Sequence, residues 1–372
     1  MIKNIGVEEA LNSPGVLVDV RSEGEFAEGT IPGAVNICIL NDQERAQVGT
    51  EYKQTGPGAA KRLGLDLVSP RLAGMVNQYD RLAQKNRKMV LFCWRGGMRS
   101  QFTAQLLDMM GFDVYRLEGG YKAYRRYINE YFSGALPHRA VVISGLTGVG
   151  KTIVLNKLAQ KGLPVLDLEG LAVHRGSVFG KVGLPPSPPQ KLFEGLVFNH
   201  LKKAEPSGVF LVECESRRLG RLMVPAPVME AMKKGYKVLL YAPLEVRVRR
   251  SLEEYTRGYD PKENVDQLLE AVGSLARYLG QRKVGLLSGL ITGGRLEEAV
   301  EILLVDYYDP LYKYPDHPSP GYDLAVDTTD MDLAAEKICR FVNGLIEYYP
   351  TMNGGAVWKS GALLERPGSQ GE

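Results

Sequence analysis

Two successive α/β domains, each carrying a mainly parallel sheet with helices on both faces, are the fold class this sequence predicts. Three observations predict it. Short β-branched or apolar runs alternate with stretches of helical periodicity, the rhythm of βαβ units. That rhythm stops and restarts around a Gly-, Pro- and His-containing stretch, SGALPHR at 133–139. Each half also contains a buried-looking strand that runs through a glycine-rich turn into a helix. The domains are therefore placed at 1–134 and 135–348, with the Gly-rich, weakly periodic 349–372 expected as a mobile tail.

In the first half, GVLVDV (15–20) and KMVLFC (88–93) read as strands, being apolar and bounded by turn residues. RLAGMVNQYDRLAQKN (71–86) has apolar residues at helical spacing between them. SQFTAQLLDMMGF follows as a helix ending near Gly111, and DVYRLEGG returns as strand and turn. In the second half AVVISG is a strand, TIVLNKLAQKG a helix closed by Gly162, and LPVLDLEG a second strand. VFLVEC (209–214) and YKVLLYA (236–242) add two more. The Pro-rich VGLPPSPPQ (182–190) is a loop inside this half, ordered by packing or by ligand.

Composition narrows the class without supplying chemistry. With 372 residues, 44% hydrophobic and a formal charge of +3, the chain has too much apolar content and too little net charge for general disorder. No apolar run approaches the roughly 18–20 residues of a membrane helix, and the first residues lack a signal-peptide core. Four cysteines, Cys38, Cys93, Cys214 and Cys339, form no CxxC pair, which argues against a disulfide scaffold and fits a cytoplasmic location.

The first chemical signal is Cys93-Trp-Arg95-Gly96-Gly97-Met-Arg99-Ser100, a cysteine ending a buried strand and followed by glycines that open a helix. Glycines allow consecutive backbone N–H groups to converge, and a helix N-terminus adds partial positive charge. Such a cradle holds a tetrahedral anion and makes Cys93 a nucleophile, with Arg99 in bidentate contact with the anion. The ordinary alternative is a buried strand cysteine.

These residues resemble the rhodanese superfamily. Asp19-Val-Arg21-Ser-Glu-Gly-Glu25-Phe, Gly29-Thr-Ile-Pro32-Gly33-Ala-Val-Asn36 and Leu117-Glu-Gly119-Gly120-Tyr121 are similar to its signatures. Five residues, not the four usual in sulfurtransferases, separate Cys93 from Arg99. Five is the spacing of the related dual-specificity phosphatases, so the resemblance implies a phosphate-like group facing Cys93.

The second signal, Gly145-Leu-Thr-Gly148-Val-Gly150-Lys151-Thr152, matches the Walker A pattern, with a strand before it and an apolar helix after it. Its N–H groups would wrap a diphosphate, Lys151 would pair with the oxygens, and the Thr152 hydroxyl could ligate Mg²⁺. Asp167 and Glu169, or Glu213 and Glu215, are candidates to support the metal, and helix capping is an equal alternative for any of them. Residues 217–257 contain ten Lys/Arg against four acids, a local +6 that leaves −3 elsewhere. Arg175, Arg217, Arg218, Arg221, Arg249 and Arg250 are accordingly candidates for phosphate-backbone contact. Tyr255, Tyr259, Tyr307, Tyr308, Tyr312 and Tyr314 could stack on bases.

A rhodanese-like α/β domain ahead of a P-loop NTPase-like domain, with these loops, resembles the tRNA 2-selenouridine synthases. Asn41-Asp-Gln-Glu-Arg-Ala-Gln-Val-Gly49-Thr-Glu-Tyr52-Lys53-Gln54, the stretch from Asp167 through His174-Arg175-Gly176-Ser177 to Gly180, and Asp306-Tyr-Tyr-Asp309-Pro310-Leu-Tyr312 carry the likeness over about 5–345. The resemblance implies an enzyme acting on tRNA with 2-thiouridine at the wobble position. It implies geranyl diphosphate and selenophosphate as co-substrates, no tightly bound prosthetic group, and a selenophosphate-supplying enzyme as partner. Geranyl diphosphate is expected at the Walker turn and selenophosphate at the Cys93 turn, with Cys93 either taking selenium or attacking phosphorus. The competing readings are a small-molecule kinase fused to a Cys-dependent phosphatase or sulfurtransferase, and an anion-binding module without catalysis.

Overall fold

The computed structural model describes residues 2–84, 88–175, 184–256 and 265–348. The expected tail at 349–372 lies outside them. So do Arg257, Tyr259 and the side chain of Tyr255. The chain divides into two compact units. The first is Met1–Gly134 together with Ser187–Phe198 and Arg221–Met223, and the second holds the remainder. Both later segments lie beyond the single boundary at 134/135 that the sequence predicts.

The first unit is a five-stranded sheet of β1 (Lys3–Ile5), β2 (Val16–Asp19), β3 (Val35–Asn36), β4 (Lys88–Phe92) and β5 (Asp113–Leu117). Their order is β1-β5-β4-β2-β3, and every pairing is parallel. β4 therefore lies at the centre, and four of its five residues are buried, which is why KMVLF reads as a continuous apolar run. The expected helix at 71–86 runs Leu72–Ala83 after a short 3₁₀ turn, and the helix after Cys93 runs Met98–Met109. The edge strands β1 and β3 were not foreseen. They are three and two residues long and partly exposed, so they leave little periodic pattern.

The second unit repeats the plan with β6 (Arg139–Ser144), β7 (Val165–Leu166), β8 (Val209–Glu213), the short strands β9 (Arg218–Leu219) and β10 (Leu222–Met223), β11 (Tyr236–Tyr241) and β12 (Leu324–Asp327). Five of these form a parallel sheet in the order β12-β11-β6-β8-β7, again with the turn-bearing strand, β6, at the centre. The helix Met331–Tyr348 and the Walker helix Lys151–Gln160 contribute to the sheet core through Ala335, Ile338, Val154 and Leu158. A separate apolar cluster joins the helices Val265–Ser274, Ala276–Thr292 and Leu296–Leu303 around Leu275, Leu287 and Leu303. Among the described residues no helix is long and apolar enough to cross a membrane.

A buried ion pair braces the first sheet beside its central strand. Asp19, at the end of β2 and in register with Phe92, accepts from Arg21 Nε at 2.9 Å and Nη2 at 2.6 Å. Thr30 Oγ1 donates to the same carboxylate at 2.8 Å, and Arg21 Nη2 donates to the Gly29 carbonyl at 2.8 Å. Asn36 Nδ2 donates to the backbone carbonyls of Asp19 and Arg21. The DVR and GTIPGAVN motifs are thus one hydrogen-bonded unit, in which each buried polar group has a partner. The Arg21 guanidinium also lies 4.2 Å from the Tyr121 ring centroid. Replacing Arg21 by Met strands the Asp19 carboxylate, and a loss of about 3–5 kcal/mol in unfolding free energy is expected from denaturant titration. An unchanged midpoint would show the brace to be dispensable.

Candidate functional site

The Cys93 turn sits at the carboxyl end of β4. Residues Trp94–Gly97 span the gap to the 12-residue helix that starts at Met98, whose first-turn N–H groups have no intrahelical acceptors. The turn is held from one side by the LEGGY segment. Tyr121 N–H donates to the Cys93 carbonyl and Lys122 N–H to that of Trp94, both at 2.9 Å. Gly120, at φ +60°, allows no side chain there: a Cβ would stand 2.2 Å from the Cys93 oxygen and 2.5 Å from the Gly96 nitrogen.

Cys93 is buried, with its Sγ 3.2 Å from the Ser100 Oγ, which itself donates to the Gly97 carbonyl. Ser100 is therefore a neighbour of the thiol. Arg95 is exposed beside Trp94, and Trp94 tilts against Tyr121 with centroids 5.7 Å apart. Arg99 does not stand open to an anion. Both its Nη atoms engage Glu25, at 2.5 and 3.2 Å, and Arg45 approaches the same carboxylate at 3.7 Å. Burial alone would raise the Glu25 carboxyl. The hydrogen bond and charge of Arg99, with Arg45 and Arg21, hold it below its ordinary range. An anion arriving at the turn competes with Glu25 for the guanidinium.

The Walker turn occupies the equivalent place after β6. Gly148, at φ +83°, faces the Arg247 carbonyl and the Ser251 hydroxyl so closely that a Cβ would fall 2.5 and 2.7 Å away. Lys151 Nζ folds back onto the turn, donating to the Gly145 carbonyl at 3.1 Å and to that of Leu146 at 3.4 Å. Arg247, counted by sequence within the basic surface, is buried. Its Nε donates to the Thr147 carbonyl at 2.8 Å and its Nη atoms pair with Asp309.

Arg250, expected among the tRNA-facing arginines, is likewise committed to the turn. Its Nη1 donates to the Val149 carbonyl at 3.2 Å and its Nη2 to the Thr328 carbonyl at 2.6 Å. Arg217, Arg218, Arg221 and Arg249 are exposed as expected of a surface patch, although Arg218 Nε also donates to the Gly220 carbonyl. Charge counting could not separate the two groups, because helix face decides which arginine points inward.

A cavity of about 240 Å³ opens on the Walker turn, lined by Gly148, Lys151 and Thr152 together with Arg175 and the acids Glu169, Glu213 and Glu215. Carboxylate oxygens of the three acids lie within 4.8 Å of one another. Strand register explains part of this: Glu213 ends β8 opposite Ile143 of β6, one strand from the turn. Asp167, the other candidate acid, instead caps the helix Leu168–Ala172, accepting from Gly170 N–H at 2.8 Å. An all-oxygen set beside a threonine hydroxyl suits Mg²⁺. Tyr312 and Tyr314 also line the cavity, whereas Tyr307 and Tyr308 are buried in the helical cluster.

Burial pushes the Glu215 carboxyl up, against the opposing charge of Lys151 and a hydrogen bond with Glu169. A carboxyl raised on folding favours the native state while protonated. That contribution is lost as pH climbs from the unfolded value of ~4.3 through the raised native one. Glu215→Gln is therefore expected to gain stability relative to the wild type as pH rises from about 4 toward neutrality, read in parallel denaturant titrations. A pH-independent difference would refute this account.

Together the two units define a class: a rhodanese-like thiol domain followed by a P-loop domain of parallel-sheet α/β type. Residues 6–127 match the rhodanese-like domain model, and residues 138–319 match that of the tRNA 2-selenouridine synthase AAA domain. A tRNA 2-selenouridine synthase of Pseudomonas syringae pv. syringae is 35% identical over 343 residues, 85% of this chain and 92% of its own. Those of Cupriavidus pinatubonensis and Psychromonas ingrahamii are 36% and 31% identical, covering 80% of this chain and 88% and 87% of theirs. The chain belongs to the tRNA 2-selenouridine synthase family.

Proposed function

We propose that this chain converts wobble 2-thiouridine in tRNA to 2-selenouridine, by way of an S-geranyl intermediate. The observation that carries the reading is the pair of anion turns, one built around a thiol and the other around a lysine, in a chain of this family. In the first step the thiocarbonyl sulfur attacks C1 of geranyl diphosphate, forming S–C1 as the C1–O bond breaks, diphosphate departs and N3 gives up its proton to solvent. Lys151 exchanges its carbonyl partners for the diphosphate oxygens and stabilises the developing charge. Thr152, with Glu213 and Glu215, would hold Mg²⁺, which supplies further positive charge to the leaving group when bound.

Alkylation turns sulfur into a better leaving group. In the second step selenium of selenophosphate attacks C2, and geranylthiol leaves after taking a proton. The C2–Se–phosphoryl adduct then passes its phosphoryl group to Cys93 as the Se–P bond breaks, the thiol proton is released and N3 takes one up to restore the C2=Se bond, and water cleaves the S–P bond to free phosphate and the thiol. The Cys-x5-Arg spacing supports attack on phosphorus, and the Ser100 hydroxyl, 3.2 Å from the thiol, is placed to stabilise the thiolate when it leaves. Arg99 transfers from Glu25 to the phosphoryl oxygens. Arg217, Arg218, Arg221 and Arg249, being exposed, would neutralise tRNA phosphates, and Arg175 lines the Walker cavity. The reading places the enzyme in the cytoplasm, beside an enzyme that makes selenophosphate.

Mass spectrometry of 2-thiouridine tRNA incubated with geranyl diphosphate and then with selenophosphate tests both steps. Lys151→Ala is expected to lower geranylation about 10²–10³-fold, as loss of one preorganised donor to a leaving anion does. Cys93→Ala is expected to geranylate normally and to accumulate S-geranyl tRNA. Lys151→Ala blocking selenium incorporation alone, or Cys93→Ala leaving only thio-tRNA, would overturn the division of labour.

A further inference from the structure

Beside the Cys93 turn the first unit contains a cavity of about 340 Å³ that the two-step reading does not use. Its wall is almost entirely hydrocarbon, formed by Val48, Ala60, Leu65, Val68, Met98 and Phe102. Leu65 and Met98 are 52% and 55% exposed, although large apolar side chains ordinarily turn away from water unless something covers them. The cavity and the thiol site share one helix. Met98 and Arg99 open the helix Met98–Met109 directly after the Cys93 turn, and Phe102 follows one turn later. Arg99, the second residue of that helix, also lines the cavity, while its Nη atoms pair with Glu25.

These features select among occupants. A base, a ribose or a phosphate would find few hydrogen-bond partners on such a wall and would lose those it makes with water. A hydrocarbon chain loses nothing there and gains burial. The volume falls within the range of small-ligand pockets and is concave, as a chain needs. Because Met98 and Arg99 of the wall follow the Cys93 turn directly, a chain seated here has its reacting end closest to that turn at this side of the cavity.

We infer that this cavity holds the geranyl chain of the S-geranyl nucleoside during the selenium step, with the sulfur end toward Arg99 and the Cys93 turn. The inference rests on the two-step reading and adds to it a recognition site for the leaving group. It makes the second step selective for a geranyl thioether, since the chain, and not sulfur alone, anchors the substrate where selenium enters and geranylthiol departs.

The test compares S-geranyl-2-thiouridine tRNA with S-methyl-2-thiouridine tRNA as substrates for selenophosphate, in the full-length enzyme. Val48→Trp fills the cavity. Leu65→Asp puts a charge in its wall at a largely exposed position, where folding should survive. Both are expected to reduce kcat/KM for the geranyl substrate at least about tenfold, the cost of excluding roughly two methylenes, through KM. Turnover of the methyl substrate, and geranylation of thio-tRNA, are expected to stay at the wild-type level. An unchanged geranyl-to-methyl ratio in both variants overturns the inference while leaving the two-step reading intact. A changed oligomeric state with that ratio unchanged also overturns it and makes the cavity a protein-docking face. A wild-type enzyme that converts neither substrate overturns the two-step reading itself, and the inference with it.

Discussion

Both reactive turns depend on backbone packed directly against backbone at the end of a central parallel strand. In a parallel sheet the strand-to-helix connections emerge at one edge, so a residue just beyond the central strand meets loops from its neighbours. At Cys93 the incoming loop is the LEGGY segment, and at the Walker turn it is the helix carrying Arg247 and Ser251. Gly120 and Gly148 are the contact points, and each has a left-handed backbone and less than 3 Å of room for a Cβ. Everything chemical in the chain, thiol, lysine and carboxylates, is positioned relative to these two contacts.

The cations around the turns are held in place by partners that an anion could replace. Arg99 rests on Glu25 and Lys151 on two carbonyls of its own loop. Such groups are ordered before any ligand arrives, which reduces the conformational entropy that binding must spend. Arg247 and Arg250 differ: they hold the loop itself, through Thr147, Val149 and Thr328, and are part of the frame. One basic segment thus divides between surface residues suited to a polyanion and inward-turned ones, Arg247 buried and Arg250 half-buried, that shape the site.

The legible parts of the fold were those with strong local patterns. β4, β6, β8 and β11 are buried apolar runs, and the helices beginning at Met98 and Lys151 follow glycine turns, so periodicity alone located them. β1, β3 and β12, of two to four partly exposed residues at sheet edges, escaped, whereas the equally short β7 was legible because its run follows directly on the glycine that closes the Walker helix. The grouping of Ser187–Phe198 and Arg221–Met223 with the first unit was illegible for a similar reason: nothing in their composition says which core they complete.

The sequence by itself determined the chemistry on offer: a thiol six positions before an arginine, a Walker lysine, and two strand-turn-helix frames to present them. These are local properties, written in short spacings and in glycines that permit a particular backbone. Tertiary structure decided the assignments among chemically equal candidates. It gathered Glu169, Glu213 and Glu215 while turning Asp167 into a helix cap, and it sent Arg247 and Arg250 inward while leaving Arg249 exposed. It also drew Val48, Ala60 and Phe102 into one apolar wall beside Cys93. Strand order, helix rotation and long-range packing set those distances, and none of the three is encoded within the reach of a motif.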